Sequence, residues 1–398
     1  MLSIKDLKNL NNKKILLRLD LNVPINNGKI YDSTRIDKIL PTLKFLINEK
    51  SKIIILSHVG RPNGKVINEL SLKPICIDIE NKLNQKILLI KKNIKEIKNE
   101  DLFKNIKEKI IMMENIRFYD DEEKNDYKFA KHLSTLADIY VNDAFSCSHR
   151  AHASINKISE FLPSYSGLQL DTEINALKKI TSEIKKPVTC IIGGSKVSTK
   201  INVIKNLIKK FDNIIIVGGM ANNVIKFMGH EIGNSLHEKN SDQIIKEIFI
   251  VSKQENCKII YPEDIVVAKT LNGSPETKDI NEVLADEMIL DIGPKTINKI
   301  YNLIDESNTI LWNGPAGYFE NLNFANGSIK IAKKIIENNL ANKIYSVAGG
   351  GDTVSLLSSL NVINNFNFVS TAGGAFLEYL EGKDLPGITA LDKHDKTQ

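Results

Sequence analysis

Two doubly wound α/β domains, each built on a parallel sheet and joined by a helix and hinge, are the architecture the sequence predicts. Three observations predict it. The chain has 398 residues and a mass of 44.6 kDa, more than a single hydrophobic core usually serves. Short β-branched apolar runs recur along it, each followed by a polar or glycine-rich turn and then by helical periodicity. The residues just after those runs differ between the two halves: arginines and histidines in the first, glycines in the second.

In order, the first half carries Ile15-Leu19, Ile53-Leu56, Ile110-Met113 and Ile139-Val141. The second carries Val188-Ile192, Ile214-Val217, Ile259-Tyr261, Ile310-Trp312, Ile344-Val347 and Phe366-Val369. Runs this short between turn residues read as buried strands, and strands alternating with helices imply parallel, Rossmann-like sheets wrapped on both faces. Pro163, Ser164, Ser166 and Gly167 interrupt the pattern before Leu168-Ile180 resumes as an amphipathic helix. The reading is therefore a first domain over 1–165, a second over 166–375 whose residues 166–180 form the interdomain helix, and a C-terminal segment, 376–398, packing back on the first domain. The Ser164-Gly167 seam and the tail are the candidate hinge.

The composition, 42% hydrophobic and 26% charged, is that of a folded soluble protein. A formal charge of +6, spread along the chain, is too weak to imply nucleic acid or membrane and suits a small anionic substrate. The four cysteines, Cys76, Cys147, Cys190 and Cys257, form no CxxC pair, which suggests reduced thiols. No apolar run reaches the ~20 residues of a membrane span. The expectation is a cytoplasmic monomer, each half closing its own core.

Ligands of open α/β sheets bind beyond the carboxyl ends of the strands. There the first half places Asp20-Leu21-Asn22, Ser57-His58-Val59-Gly60-Arg61, Asn115-Ile116-Arg117 and Asn142-Asp143, the last leading to His149-Arg150-Ala151-His152; Arg35 follows a turn at Asn26-Gly28. Arginine offers a planar, always charged fork matched to carboxylate and phosphate. Arg35, Arg61, Arg117 and Arg150 on one rim would make an anion pocket, with Asp20 and Asn22 left to hold hydroxyls. Any one of them alone would read as a surface ion pair. His149 and His152 near Cys147 could contribute to a metal site, but no fourth ligand is placed, and anchoring a ligand or packing in the core is the preferred reading.

The second half places Gly193-Gly194-Ser195-Lys196-Val197-Ser198-Thr199-Lys200, Gly218-Gly219-Met220, Asn313-Gly314-Pro315-Ala316-Gly317, Gly349-Gly350-Gly351-Asp352-Thr353 and Ala372-Gly373-Gly374 at its strand ends. Glycine lets backbone approach a ligand, and a helix starting there aims N–H groups at phosphate. This half reads as the nucleotide domain. Neither GxxxxGK[ST] nor GxGxxG occurs, against a P-loop NTPase, a protein kinase or the usual dinucleotide fold. Lys196 and Lys200, four apart, are expected on one helix face, following the transferring phosphate. Asp352 is either a Mg²⁺ contact or a helix cap.

Together the blocks RLDLNVP, SHVGRPNG, ENIRF, VNDAFSCSHRAHAS, GGSKVSTK, DIGPKT, WNGPAGYFE, GGGDT and STAGGAFLEYLEGKDLPG resemble the phosphoglycerate kinase family in order and spacing, from about Leu16 to Gly387. The resemblance implies reversible, Mg²⁺-dependent, direct in-line phosphoryl transfer between 1,3-bisphosphoglycerate and ADP, giving 3-phosphoglycerate and ATP, with domain closure. It implies that phosphoglycerate is held by Asp20, Leu21, Asn22, Arg35, His58, Val59, Gly60, Arg61, Arg117, Arg150 and His152. The nucleotide falls to Lys196, Lys200, Asn313, Pro315, Glu320, Gly350, Gly351, Asp352 and Thr353, with Glu320 on the ribose and Asp352 on the metal. Arg35, Lys196 and the helix beginning near Gly373 would face the phosphoryl group in flight. Val217, Ile289, Ala316, Tyr318 and Ala372 depart from the family pattern, all on the nucleotide side. Another carboxyl-phosphate kinase would need a differently furnished acceptor pocket, and a non-catalytic binding protein would be expected to have lost Arg35, Lys196 or Asp352.

Overall fold

The computed structural model describes residues 1–104 and 106–395, with side chains described to residue 392. The chain forms two compact units, one made of Met1–Asn175 and the chain from Asp384 on, the other of Ala176–Lys383.

The first unit carries β1 (Lys14–Leu19), a short hairpin of β2 (Ile25–Asn26) and β3 (Lys29–Ile30), then β4 (Lys52–Leu56), β5 (Ile87–Ile90), β6 (Ile110–Met113), β7 (Ile139–Asp143) and β8 (Ser164–Ser166). Its sheet has the order β5-β6-β4-β1-β7-β8, with every pair parallel. Around it lie α1 (Thr34–Asn48), α2 (Lys73–Leu83), α3 (Asp120–Glu123), α4 (Tyr127–Ser134) and the start of α5 (Leu168–Thr181). Ile36, Ile39, Leu43 and Leu46, at i, i+3 and i+4 spacings on α1, pack on Ile15, Leu17, Ile53 and Ile55 of the sheet. The chain enters at β1 in mid-sheet, adds β4 on one side and later β7 on the other, so β1 marks the topological switch point.

The second unit repeats the plan. Its strands are β9 (Val188–Ile192), β10 (Asn213–Ile216), β11 (Lys258–Ile260), β12 (Asp264–Ala268), β13 (Glu276–Asp279), β14 (Met288–Ile292), β15 (Thr309–Asn313), β16 (Tyr345–Gly349) and β17 (Phe368–Ser370). Six of them form a parallel sheet, β11-β10-β9-β15-β16-β17, and β13-β12-β14 form a separate antiparallel sheet. The helices are α6 (Ile201–Ile208), α7 (Gly219–Phe227), α8 (Asp242–Gln254), α9 (Pro294–Glu306), α10 (Asn326–Leu340), α11 (Gly351–Ser359) and α12 (Gly374–Leu380). Trp312, fully buried, packs with Ile191, Ile300, Ile331 and Ile335, and its indole N–H donates to the Gly314 carbonyl at 2.8 Å. The chain then returns to the first unit as α13 (Pro386–Asp395).

The two parallel sheets the sequence predicts are both present, the first extended by β5 and β8 beyond the runs read from the sequence, and the units change at Asn175/Ala176 and Lys383/Asp384 instead of 165/166 and 375/376. The physical reason is local. β8 completes the first sheet, and the first turn of α5 is tied to it: the Leu170 N–H donates to Asp143 Oδ1 at 2.9 Å, and Thr42 donates to Asp143 Oδ2 at 2.6 Å. At the other crossing, Asn206 Nδ2 donates to the Leu380 carbonyl at 2.7 Å and keeps α12 in the second unit. The end of the expected C-terminal segment, Lys396–Gln398, lies outside the described residues. Among those described, no helix is long and apolar enough to cross a membrane, and all four cysteines are free and buried.

Candidate active site

In the first unit, the loops after β1, β4, β6 and β7 assemble one polar surface. Asp20, just past β1, accepts from Arg35 Nη1 at 3.0 Å (Oδ2) and 3.2 Å (Oδ1) and from the Ser146 hydroxyl. Asn22 accepts from the Gly60 N–H at 3.0 Å, and the Gly60 carbonyl accepts from Arg117 Nη1 at 3.0 Å. Gly60 turns with φ +65°, a left-handed conformation that glycine adopts without strain. Leu21 and Val59 are buried scaffold: the Leu21 N–H donates to Ser57, and the Val59 carbonyl accepts from Asn115. Arg61 and Arg150 stand exposed, and Arg150 Nε lies 3.1 Å from His149 Nε2.

Beneath this rim lies a buried layer that the sequence reading did not single out. Arg18, fully buried in β1, donates from Nε to Ser154 Oγ at 2.9 Å, and its Nη2 lies 3.1 Å from His58 Nδ1. Glu122, also fully buried, accepts from the Ser154 N–H at 2.9 Å and from its hydroxyl at 2.6 Å. Burial, with Arg18, Arg117, His152 and Arg35 nearby, holds His58 well below the usual histidine range. Burial, then Arg117, Arg18, Arg150 and His149, push His152 down to about 3. Both shifts favour the neutral imidazole at His58, which pairs with Arg18, and at His152, whose buried Nδ1 has no hydrogen-bond partner among the described residues, so the positive charge here comes from the arginines. Lys38, on α1 near Asp20 and Arg35, is a further cation here; burial lowers its pKa while Glu173 opposes.

In the second unit, the switch point lies between β9 and β15, whose following loops touch. The Gly193 N–H donates to the Asn313 carbonyl at 2.9 Å, and a Cβ on Gly193 would sit 2.4 Å from the Pro315 carbonyl oxygen. Lys200 is held there by the Gly193 carbonyl at 2.5 Å and Asn313 Oδ1 at 2.6 Å, and burial draws its pKa down to about 8. Asn313 donates to the Gly349 carbonyl at 2.7 Å, and Thr353 accepts from the Gly314 N–H at 2.7 Å. Gly350 caps α11 with φ +97°, leaving Gly351 and Asp352 exposed in its first turn. Gly373 likewise precedes α12.

Between these turns and the antiparallel sheet lies a cavity of about 230 Å³. Its walls are mostly apolar, with Pro315, Ala316, Tyr318 and Ile289 among them, and its ionisable members are Glu320 and Asp352, both exposed, with partly buried Tyr318 and buried Asp291. Asp291 accepts from the Gly327 N–H at 2.7 Å and is pushed up to about 7, mainly by burial. Of the departures from the family pattern, Ile289, Ala316 and Tyr318 line this cavity, whereas Val217 lies in the core below and Ala372 is buried ahead of α12.

One expectation fails. Lys196 and Lys200 do not share a helix face: α6 begins at Ile201, so both lie in the turn before it, with Lys200 at its N-cap. The two serines and the threonine around them favour a turn bonded by side chains over an earlier helix start. Among the described residues, no three His, Cys, Asp or Glu side chains gather as a resident metal would require. The single exposed carboxylate of Asp352, beside Gly350 and Gly351 at the start of α11, is chemically suited to a Mg²⁺ ion that takes its other ligands from a bound molecule.

A family model described as phosphoglycerate kinase matches residues 4–383. A phosphoglycerate kinase of Chelativorans sp. (strain BNC1) is 43% identical over 393 residues, covering 98% of this chain and 99% of that one. One from Wolbachia pipientis wMel is 45% identical over 386 residues, covering 96% and 97%. The solved structure of phosphoglycerate kinase from Coxiella burnetii superposes with a TM-score of 0.91 at 38% identity, covering 98% and 99%.

Proposed function

The chain belongs to the phosphoglycerate kinase family, and from that premise we infer that it catalyses reversible phosphoryl transfer between 1,3-bisphosphoglycerate and ADP, giving 3-phosphoglycerate and ATP. The observation that carries the reading is the division of chemistry between two like sheets. Arginines over neutral histidines end the strands of one, and glycine turns beside an apolar cavity end those of the other.

Phosphoglycerate binds the first unit through Arg35, Arg61, Arg117 and Arg150, with Asp20, Asn22, His58 and His152 fixing its hydroxyl and carboxyl groups and Leu21, Val59 and Gly60 shaping the floor. The base of the nucleotide enters the second unit's cavity beside Pro315, and Glu320 takes the ribose. Lys200, Asn313 and the Gly350-Gly351-Asp352-Thr353 turn receive the phosphates, and Asp352 holds Mg²⁺, which neutralises phosphate charge when bound. Lys196, Arg35 and the backbone at Gly373 meet the equatorial oxygens in transit, where stabilisation lowers the barrier. With substrates held on separate units, direct in-line transfer requires that they approach and exclude water. The enzyme acts as a cytoplasmic monomer.

The test is ADP formation from ATP and 3-phosphoglycerate, with and without Mg²⁺. Turnover that needs both 3-phosphoglycerate and Mg²⁺ is the expected result. Folded protein without turnover would favour a non-catalytic binding role.

A further inference from the structure

The turn Gly193–Lys200 carries Lys196, yet neither helix nor strand supports its middle. Its ends are tied by backbone bonds: Gly193 N–H to the Asn313 carbonyl, Met220 N–H to the Gly194 carbonyl at 2.8 Å, and Lys200 N–H to the Val197 carbonyl at 3.0 Å. Across Val197 and Ser198 the support comes from elsewhere. Glu238 accepts from the Ser198 N–H at 2.9 Å through Oε2 and from the Ser198 hydroxyl through Oε1, and the Val197 N–H adds to them. Burial would raise this carboxyl's pKa, but those hydrogen bonds and the charge of Lys196 leave it below its usual value.

Glu238 is itself anchored. Its N–H donates to Asn223 Oδ1 at 2.7 Å, the same oxygen accepts from Ser241 at 3.1 Å, and Asn222 Nδ2 donates to the Leu236 carbonyl at 2.9 Å. Asn222 and Asn223 are buried in α7. Rigid helix, clamped loop, carboxylate and turn thus form one continuous series ending at Lys196.

We propose that Glu238 is a positioning residue for phosphoryl transfer, holding the turn so that the Lys196 ammonium meets the moving phosphoryl group. The inference rests on the role given to Lys196 above. A lysine is a point charge on a flexible stem, so its contribution depends on where its backbone is fixed. A misplacement of about 1 Å can cost on the order of 100-fold in rate.

The test compares Glu238→Ala, Glu238→Gln, Ser198→Ala, Lys196→Ala and the Lys196→Ala/Glu238→Ala double variant by steady-state kinetics, with kcat corrected for the folded fraction from thermal melts. Glu238→Ala is expected to lower kcat by roughly 10- to 100-fold, leaving the KM for 3-phosphoglycerate unchanged. Glu238→Gln and Ser198→Ala, each keeping part of the clamp, should fall between it and the parent. The double variant should be no slower than Lys196→Ala alone, because residues acting as a unit are not additive. Losses that multiply in the double variant would overturn the proposal. So would full kcat in Glu238→Ala beside a crippled Lys196→Ala, and that outcome would leave the functional reading standing. Full kcat in Lys196→Ala would remove the role of Lys196 and the proposal together.

Discussion

Lys200 is bonded by carbonyl and amide oxygens and, among the described residues, by no carboxylate, so burial brings its pKa to about 8 before any ligand arrives, with Asp352 only partly opposing. A nucleotide phosphate should restore the charge. Binding is therefore expected to take up a proton at pH 8.5 and almost none at pH 6.5. Titration calorimetry in buffers of different ionisation enthalpy checks this, with Lys200→Met losing the effect. His152 works in the other sense. Its folded value of about 3 lies below the ordinary 6.5, so the folded state binds fewer protons than the unfolded one, and stability present above about 6.5 is lost as the pH falls. His152→Gln should lose less melting temperature than the parent between pH 7 and pH 5. At this scale the exposed cations and glycines were legible in the sequence because they follow apolar runs. Arg18 was not, because it sits inside such a run and reads as a break in it, and Glu122 hides among four successive acids of α3.

At the scale of elements, the loops after β9 and β15, assigned above to the nucleotide, meet backbone to backbone. Gly193→Ala would place a Cβ 2.4 Å from a carbonyl oxygen of the backbone, which cannot rotate aside. The variant should lose about 1–3 kcal/mol of stability and raise the nucleotide KM while sparing that for phosphoglycerate; a parent-like nucleotide KM would contradict this. Every strand read from a β-branched run overlaps a strand in the structure, because a parallel strand is buried on both faces and reads as continuously apolar. Among the described residues, seven strands escaped: the two-residue β2 and β3, the mostly apolar β12 and β14 of the antiparallel sheet, and β5, β8 and β13. β5 is a partly exposed edge strand, β8 is Ser-Tyr-Ser, with Ser164 donating to the Leu162 carbonyl, and β13, Glu-Thr-Lys-Asp, belongs to an antiparallel sheet with partly exposed residues. The antiparallel sheet matters most, since β14 brings Ile289 and Asp291 to the cavity.

For the whole molecule, the notable fact is that the chain passes between its units twice, once along α5 and once at Lys383/Asp384. The second passage delivers α13 to the first unit. There the Gly387 N–H donates to the Ser148 carbonyl at 2.8 Å, Asn156 donates to the Pro386 carbonyl at 3.0 Å, and Leu385 and Leu391 are buried. Ser148 immediately precedes the His149–His152 stretch. Truncation after Lys383 should cost the first unit roughly 3–6 kcal/mol, the worth of two buried leucines, and raise the KM for phosphoglycerate. Nucleotide binding to the second unit should persist. Scanning calorimetry and separate binding titrations would show this, and an undisturbed first unit would refute it.

That same return has a consequence for biosynthesis. α13 is translated after all of Ala176–Lys383, so when the ribosome finishes Asn175 the first unit still lacks a piece of its own packing. At ordinary elongation rates of about 5–20 residues per second, it waits on the order of ten to forty seconds. The second unit, a single uninterrupted segment, faces no such delay. The nascent chain thus completes its middle first, and the early-made sheet is the part that chaperones would meet half-built.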